Sequence, residues 1–207
     1  MTDRAILPAL FQSENELANR LRREVRESHP GLREALIEDA RIATDQRGEP
    51  ELRPGVATVL QILRLSWKSD AFLAQAIYRV KAALRRRGVP ILPSICHRLS
   101  IMIAGVMIGD PVVMRPGVHL LHGRVVIDGF TEIRSGVVIG PFVTIGLVAD
   151  EIGGPTIEEE VRVGAGAVVL GKITVGRDAT IGANAAVLRD VPAGATVTGV
   201  PARPRSG

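Results

Sequence analysis

β-branched residues recur at six-residue intervals through the second half of the chain. The series consists of Ile127, Ile133, Ile139, Ile145, Ile157, Val163, Val169, Val175, Ile181 and Val187. A period of six fits neither an α-helix nor the alternation of a simple strand, so it indicates a solenoid of short repeats. Each hexapeptide would form one flat face with its Ile or Val pointing inward, and three would complete a turn. The pattern therefore predicts a parallel β-helix.

The first half of the chain carries helical patterns instead. Residues 13–16 match a helix capping box, and Ser69 can cap a later helix. The apolar positions of that later helix are Phe72, Leu73, Ala76, Ile77, Val80, Ala83 and Leu84. We therefore expect an α+β chain with an α-helical region over residues 1–104 and a β-helix over residues 105–203.

One segment interrupts the six-residue series. Glu151 stands where the next apolar residue is due, midway between Ile145 and Ile157. An ionised carboxylate inside a narrow apolar column would be costly. We therefore predict that residues 147–156 leave the β-helix as an extruded loop. Such a loop is a candidate lid or substrate wall.

Composition and charge narrow the range of functions. Aromatic residues make up 3% of the 207 residues, which suits a narrow interior of β-branched side chains. The net charge is +4, and the positive balance would attract a phosphorylated cosubstrate. The densest basic run, residues 85–87, has no interleaved aromatics and lies at a predicted helix end, where cations are favourable. We therefore expect no nucleic-acid partner.

The sequence also bears on the cellular compartment. Cys96 is the single cysteine and cannot form an intrachain disulfide, which is compatible with a reducing compartment. The first residues lack the apolar core of a signal peptide. The uncharged stretch at 99–109 is shorter than the roughly 20 apolar residues that span a bilayer. The sequence therefore predicts a cytoplasmic protein without a membrane span.

Two histidines lie just before the repeat becomes regular, at His119 and His122. An imidazole with a pKa near neutrality is suited to taking a proton from an attacking hydroxyl. The alternative is that both are surface residues at corners of the solenoid. Periodicity alone leaves both interpretations open.

Four segments resemble a known enzyme group and occur in its order. They are His122–Gly123 followed by residues 125–127, the loop after Gly146, the run at 163–171, and Gly199–Arg203. Together they resemble the serine O-acetyltransferase group of hexapeptide acyltransferases, over roughly residues 70–203. The resemblance implies a left-handed β-helix and a homotrimer or dimer of trimers. It also implies acetyl-CoA as cosubstrate, with no metal and no permanently bound cofactor.

The resemblance assigns roles to particular residues. It implies His122 as the general base, with Asp110 as a displaced partner carboxylate. The implied acetyl-CoA contacts are Gly164, Ala165, Gly182, Ala183 and Arg203. The implied acceptor contacts are His119, Asp150 and Glu151.

The chain departs from the serine enzymes at positions that contact the amino acid or orient the base. Met107 stands where those enzymes begin an Asp-Ile-His-Pro motif, and Leu121 replaces an Asp before the catalytic histidine. Gly154 replaces a histidine of the loop. A selective serine site must pair both charges of the amino acid. We therefore expect a sugar or polysaccharide precursor as acceptor, with serine, as in cysteine biosynthesis, as the alternative.

The sequence fits two other classes of protein less well. A zinc enzyme of the β-helix carbonic anhydrase type would need three histidines, but the predicted β-helix contains His119 and His122 only. A non-catalytic scaffold would not need a histidine beside a glycine-bearing loop. Both are weaker hypotheses than an acetyltransferase.

Overall fold

The computed structural model describes residues 19–21, 23–148 and 153–204. The capping box predicted at residues 13–16 lies outside this part of the chain. The two proposed acceptor contacts Asp150 and Glu151 also lie outside it.

Helices form the first part of the described chain. Beyond helical residues at 19–21 and 23–28, they are α1 (Leu32–Gln46), α2 (Val56–Lys68), α3 (Asp70–Arg86) and α4 (Leu92–Ala104). The side chain of Ser69 accepts a hydrogen bond from the Phe72 amide, which confirms the predicted N-cap of α3. Helix α4 ends at Gly105, whose φ of 64° is the left-handed conformation typical of a glycine C-cap. None of the described helices is long and apolar enough to cross a bilayer.

Short strands form the second part. They are β1 (Met107–Ile108), β2 (Val113–Met114), β3 (His119–Leu120), β4 (Val126–Ile127), β5 (Phe130–Ile133), β6 (Val138–Ile139), β7 (Thr144–Gly146), β8 (Gly153–Ile157), β9 (Arg162–Val163), β10 (Val168–Leu170), β11 (Thr174–Val175), β12 (Thr180–Ile181), β13 (Ala186–Val187), β14 (Thr196–Thr198) and β15 (Arg203–Pro204). Strands three apart pair in parallel, in the orders β1-β4-β7-β10-β13, β2-β5-β8-β11 and β3-β6-β9-β12, and β14 continues the third order in parallel beside β12. The exception is β15, which pairs antiparallel with β14. Three sheets therefore form the faces of a solenoid, which confirms the predicted fold class.

The six-residue series forms the solenoid interior. All ten of its Ile and Val residues are buried, and those of one face stack directly on one another, as Ile127 does on Ile145 and Ile145 on Val169. Each buried side chain of this size contributes about 1.5–3 kcal/mol through the hydrophobic effect. The stacked column is therefore the main source of stability in this half of the chain.

The segment predicted as a loop is shorter than expected. Residues 153–156 belong to β8, which pairs with β5 on one side and β11 on the other. A register irregularity between Phe130 and Glu132 accommodates this re-entry into the sheet. Leu147 and Val148 follow β7 outside any strand and are exposed. The change from helix to strand falls between Ala104 and Met107, and the division into two domains near residue 104 stays a prediction.

A buried ion pair joins the helices to the first coil. One edge of the Arg79 guanidinium faces Asp39, with Nε 2.8 Å from Oδ2 and Nη2 3.0 Å from Oδ1. The Gly117 amide donates to Asp39 Oδ1 at 2.9 Å. Arg79 also donates to the Met114 and Arg115 carbonyls. Since these groups belong to α1, α3 and the start of the β-helix, the pair fixes three parts of the chain together.

We expect Asp39→Ala to lower the free energy of unfolding by about 3–5 kcal/mol, because it leaves the buried Arg79 charge uncompensated. Urea denaturation measures this change. Glu38→Ala is the matched control, since Glu38 is the neighbouring residue and pairs with Arg41 at the surface. Such surface pairs contribute about 0–1 kcal/mol. Equal losses of unfolding free energy in the two variants would contradict the proposed contribution of the buried pair.

Candidate active site

His122 lies at the corner between the sheets that contain β3 and β4, and its side chain is exposed. It lines a cavity of about 840 Å³. The end of α2, the start of α3, the end of α4 and the corners that follow β3 and β6 enclose this cavity. The candidate base is therefore accessible from a space large enough for a small acceptor.

Gly123 fixes the position of His122 relative to α4. A Cβ atom on Gly123 would lie 2.0 Å from the Ala104 carbonyl oxygen, so no other residue fits without moving the helix end. The following amide, of Arg124, donates to the same carbonyl at 2.7 Å. The His122–Gly123 pair that supported the family resemblance is thus explained by a close approach of two backbones.

His119 has a different environment from His122. Its side chain is only 3% exposed, and it is not among the residues that line the cavity. Burial, together with the charges of Arg47 and His122, lowers the pKa of His119 to about 4. Its imidazole is therefore neutral near pH 7. The structure does not bring His119 to the cavity as the expected acceptor contact.

Asp110 is also far from its expected place. It follows β1 at the corner between the first and second sheets, whereas His122 lies at the corner between the third and first. The Asp110 carboxylate pairs with Lys81 at 3.2 Å and with Arg85 at 2.7 Å. Its charge is engaged by these two cations, so the structure does not bring it to His122.

No acid replaces the missing carboxylates at the two positions where the sequence departs from the serine enzymes. Met107 and Leu121 are 39% and 40% exposed. Among the described residues that line the cavity, the acid is Asp70, at the start of α3. No local sequence signal indicates Asp70, because its place at the cavity depends on how α3 packs against the first coil.

Part of the expected acetyl-CoA site lies on the same edge of the solenoid as His122. Ala165 and Ala183 stand two residues beyond paired strand positions, as His122 does, and both are exposed. Gly164 and Gly182 precede them, and a Cβ on Gly164 would lie 2.6 Å from the Ala183 amide nitrogen. These glycines are therefore required by the packing of successive coils, whether or not a ligand binds there.

Arg203 lies apart from these residues. It is exposed on β15, where it pairs with Thr198 of β14. It borders a separate cavity of about 440 Å³ formed by the last coil. The structure therefore places Arg203 at the far end of the solenoid from His122.

The cavity at His122 carries excess positive charge. Arg47, Lys68 and Arg124 line it, against the single described lining carboxylate of Asp70; Lys68 also pairs with Glu49, outside the lining, at 3.5 Å. No group of three or more His, Cys, Asp or Glu residues with metal-binding geometry occurs within residues 19–21, 23–148 and 153–204. The arrangement suits proton transfer and the binding of an anionic group.

Comparisons with known proteins agree on one group. The family model described as bacterial transferase hexapeptide (six repeats) matches residues 154–189, and these repeats indicate a left-handed β-helix. No curated protein sequence matches the chain.

Several solved structures match most of the chain. Soybean serine acetyltransferase has 30% identity, covering 86% of this chain and 71% of its own, with a TM-score of 0.71. The serine acetyltransferase of Brucella abortus strain S19 has 26% identity over 88% of this chain and 72% of its own, with a TM-score of 0.72. A serine acetyltransferase in complex with CoA has 25% identity over 88% and 73%, with a TM-score of 0.70.

The low pKa of His119 predicts how stability changes with pH. In the unfolded chain His119 takes up a proton near pH 6.5, whereas in the folded chain it does so only near pH 4. The stabilising contribution is therefore present above pH 6.5 and is lost as the pH falls from 6.5 to about 4. Within this window the free energy of unfolding falls by about 1.4 kcal/mol for each pH unit.

We expect His119→Gln to show a shallower loss of unfolding free energy than the wild type in this pH window. Urea denaturation at several pH values between 4.5 and 7.5 measures the difference. The variant's lower stability at neutral pH does not affect the comparison, because only the slopes are compared. Parallel pH profiles would contradict the burial of a neutral His119.

Proposed function

Because the chain belongs to the serine acetyltransferase group of hexapeptide-repeat acyltransferases, we propose that it transfers an acetyl group from acetyl-CoA to the hydroxyl of L-serine, with His122 as the general base. The observation that supports the base is the exposed His122 at a cavity, on the same solenoid edge as Ala165 and Ala183. The acceptor is supported by the soybean enzyme complexed with serine, which is 30% identical to this chain.

The proposed reaction proceeds by direct transfer. The imidazole of His122 takes the proton of the acceptor hydroxyl as its oxygen attacks the thioester carbonyl carbon. The tetrahedral intermediate collapses with cleavage of the carbon–sulfur bond, and the imidazolium returns the proton to the departing thiolate. The products are an O-acetyl ester and free CoA. Since the thioester is already activated, holding the hydroxyl between His122 and the carbonyl accounts for much of the rate.

Asp110 has no role in this proposal. Its carboxylate is paired with Lys81 and Arg85, and moving it to His122 would leave the buried Lys81 ammonium without its counter-charge. We propose instead that His122 works without a carboxylate partner from the first coil. The contact of Gly123 with the end of α4 holds its backbone in place.

A sugar or polysaccharide precursor is the second candidate acceptor. The observation that favours it is the apolar surface of Met107 and Leu121, where the serine enzymes carry acids. The comparisons give no support to this preference, since each solved structure described above is a serine acetyltransferase. We therefore place serine first, contrary to the sequence-based expectation.

We also retain the homotrimer as a proposal. A single chain leaves large apolar side chains exposed near the cavity, namely Met102 and Leu121. Large exposed apolar side chains that lie together are typical of a protein interface. Light scattering of the active enzyme gives its mass directly, and the mass of one chain would contradict the proposal.

An acceptor panel tests the proposed function. We expect release of CoA thiol with L-serine at a kcat/KM of about 10⁴ M⁻¹s⁻¹ or above, within the ordinary range for enzymes. Sugars and nucleotide sugars at equal concentration serve as competing acceptors. A higher kcat/KM for any sugar than for serine would overturn the choice of acceptor but not the transferase activity.

We expect His122→Ala to lower kcat by about 10²–10⁴-fold, which is the usual contribution of a general base. The KM for acetyl-CoA should change little, since the proposed role is proton transfer and not donor binding. His97→Ala is the matched control, because His97 lies on α4 and is not a lining residue of this cavity. Nearly full turnover in the His122 variant would remove His122 from the mechanism.

A further inference from the structure

The corner beside His122 contains a column of residues with left-handed backbone conformation, one from each coil. They are Gly105 at φ 64°, Arg124 at 60°, Phe142 at 60°, Gly166 at 70° and Asn184 at 56°. Glycine and asparagine tolerate this conformation readily, whereas bulky side chains rarely adopt it. The column therefore departs from the expected residue types at two adjacent levels, those of Arg124 and Phe142.

Neither local backbone preference nor burial explains the two exceptions. A non-glycine residue in this region costs on the order of 1–3 kcal/mol, and such residues cluster at ligand-binding sites. Phe142 is 57% exposed, so its ring recovers little of that cost through burial. The exposed pair lines the same cavity as His122. A role in ligand binding would give this exposed pair a function at the cavity.

The two side chains are stacked on each other. The Arg124 guanidinium carbon lies 5.4 Å from the centre of the Phe142 ring, within the range of a cation–π contact. On the other side, the Arg124 stem passes over Gly105, where a Cβ would approach its Cγ to 3.2 Å. A glycine on one side and an aromatic ring on the other thus hold Arg124 in place. Its edge N–H groups are left available for a ligand.

The charge around Arg124 favours an anion. Among the described residues, no carboxylate forms a salt bridge with Arg124. Arg47 and Lys68 line the same cavity and add to its positive charge. A planar guanidinium can bind a carboxylate through two parallel hydrogen bonds, which an ammonium cannot reproduce.

We propose that Arg124, held on the Phe142 ring, binds the carboxylate of the acceptor and so selects an amino acid over a neutral hydroxyl compound. This inference rests on the proposed function, in which His122 deprotonates the serine hydroxyl. Arg124 follows His122 by two residues, so an anion bound to Arg124 would lie near the hydroxyl that His122 deprotonates. The phosphates of acetyl-CoA are separated from the thioester by the whole pantetheine arm, which makes the acceptor the source of the anion.

The test compares L-serine with L-serinamide, which replaces the carboxylate by a neutral amide and keeps the hydroxyl and the ammonium. The wild type should prefer serine. We expect Arg124→Gln to raise the KM for serine by about 10- to 100-fold, the usual worth of a charge-assisted hydrogen bond. The KM for serinamide and the KM for acetyl-CoA should stay within about twofold of the wild type, since neither uses the carboxylate contact.

Further variants separate positioning from structural effects. Arg124→Lys should recover only part of the serine preference, because lysine lacks the planar fork. Phe142→Leu keeps Arg124 but removes its platform, so it should raise the KM for serine severalfold while sparing serinamide. Arg64→Gln is the control, since Arg64 is an exposed residue of α2 that does not line the cavity. If Arg124→Gln fails to fold, Arg124→Lys and Phe142→Leu still decide the question.

The possible outcomes are distinct. Equal losses with serine and serinamide would show a structural effect and overturn the inference. A raised KM for acetyl-CoA with unchanged serine KM would assign the anion to the cosubstrate and also overturn it. A wild type that acetylates serine while Arg124→Gln behaves identically would leave the proposed function standing and refute this inference alone. A wild type that uses neither serine nor serinamide would refute both.

Discussion

The free edge of the first coil is the constraint on which the rest of the structure depends. Amide N–H groups of each coil donate to carbonyls of the next, so the carbonyls of the first coil have no preceding coil to pair with. Polar side chains of α3 and α4 satisfy them, and the donors are Gln75, Tyr78, Arg79, Lys81 and Ser100. A buried carbonyl without a partner is costly, and solenoids need a cap at each end. The helices are therefore the cap of the β-helix.

This cap also determines the chemistry available at the site. Helix α3 brings Lys81 into the cap, where burial lowers the pKa of its ammonium and Asp110 opposes that shift. Asp110 is thereby committed to neutralising the cap and is absent from the corner of His122. The start of α3 and the end of α4 meet at that corner and form the cavity walls. The packing of α3 and α4 on the first coil thus forms the cavity. The same packing pairs Asp110 with Lys81, so this carboxylate is not available to His122.

How well the sequence predicts a feature depends on whether the interacting residues belong to one repeating pattern or to different regions of the chain. The stacking of Ile127 on Ile145 repeats in the sequence, so periodicity alone was sufficient to predict the solenoid. The bond from Gln75 to the Val118 carbonyl joins residues of unlike pattern in two different regions, and no local signal indicates it. The pairing of Arg124 with Phe142 lies between these cases. The two residues are one coil of three hexapeptides apart, so the repeat predicts their contact once their corner position is recognised.

The same distinction explains why the proposed acceptor, serine, differs from the sugar that the sequence-based expectation favoured. Met107 and Leu121 are local substitutions, and they remove carboxylates that would pair with an ammonium. The positive charge of the cavity comes instead from α1, α2 and the second coil, through Arg47, Lys68 and Arg124. Lys68 already pairs with Glu49, but a neutral sugar that displaces water from Arg124 would bring no counter-charge to it, whereas a carboxylate would. The electrostatics of the folded cavity therefore support the proposed amino-acid acceptor, even where the motif for its positive charge is incomplete.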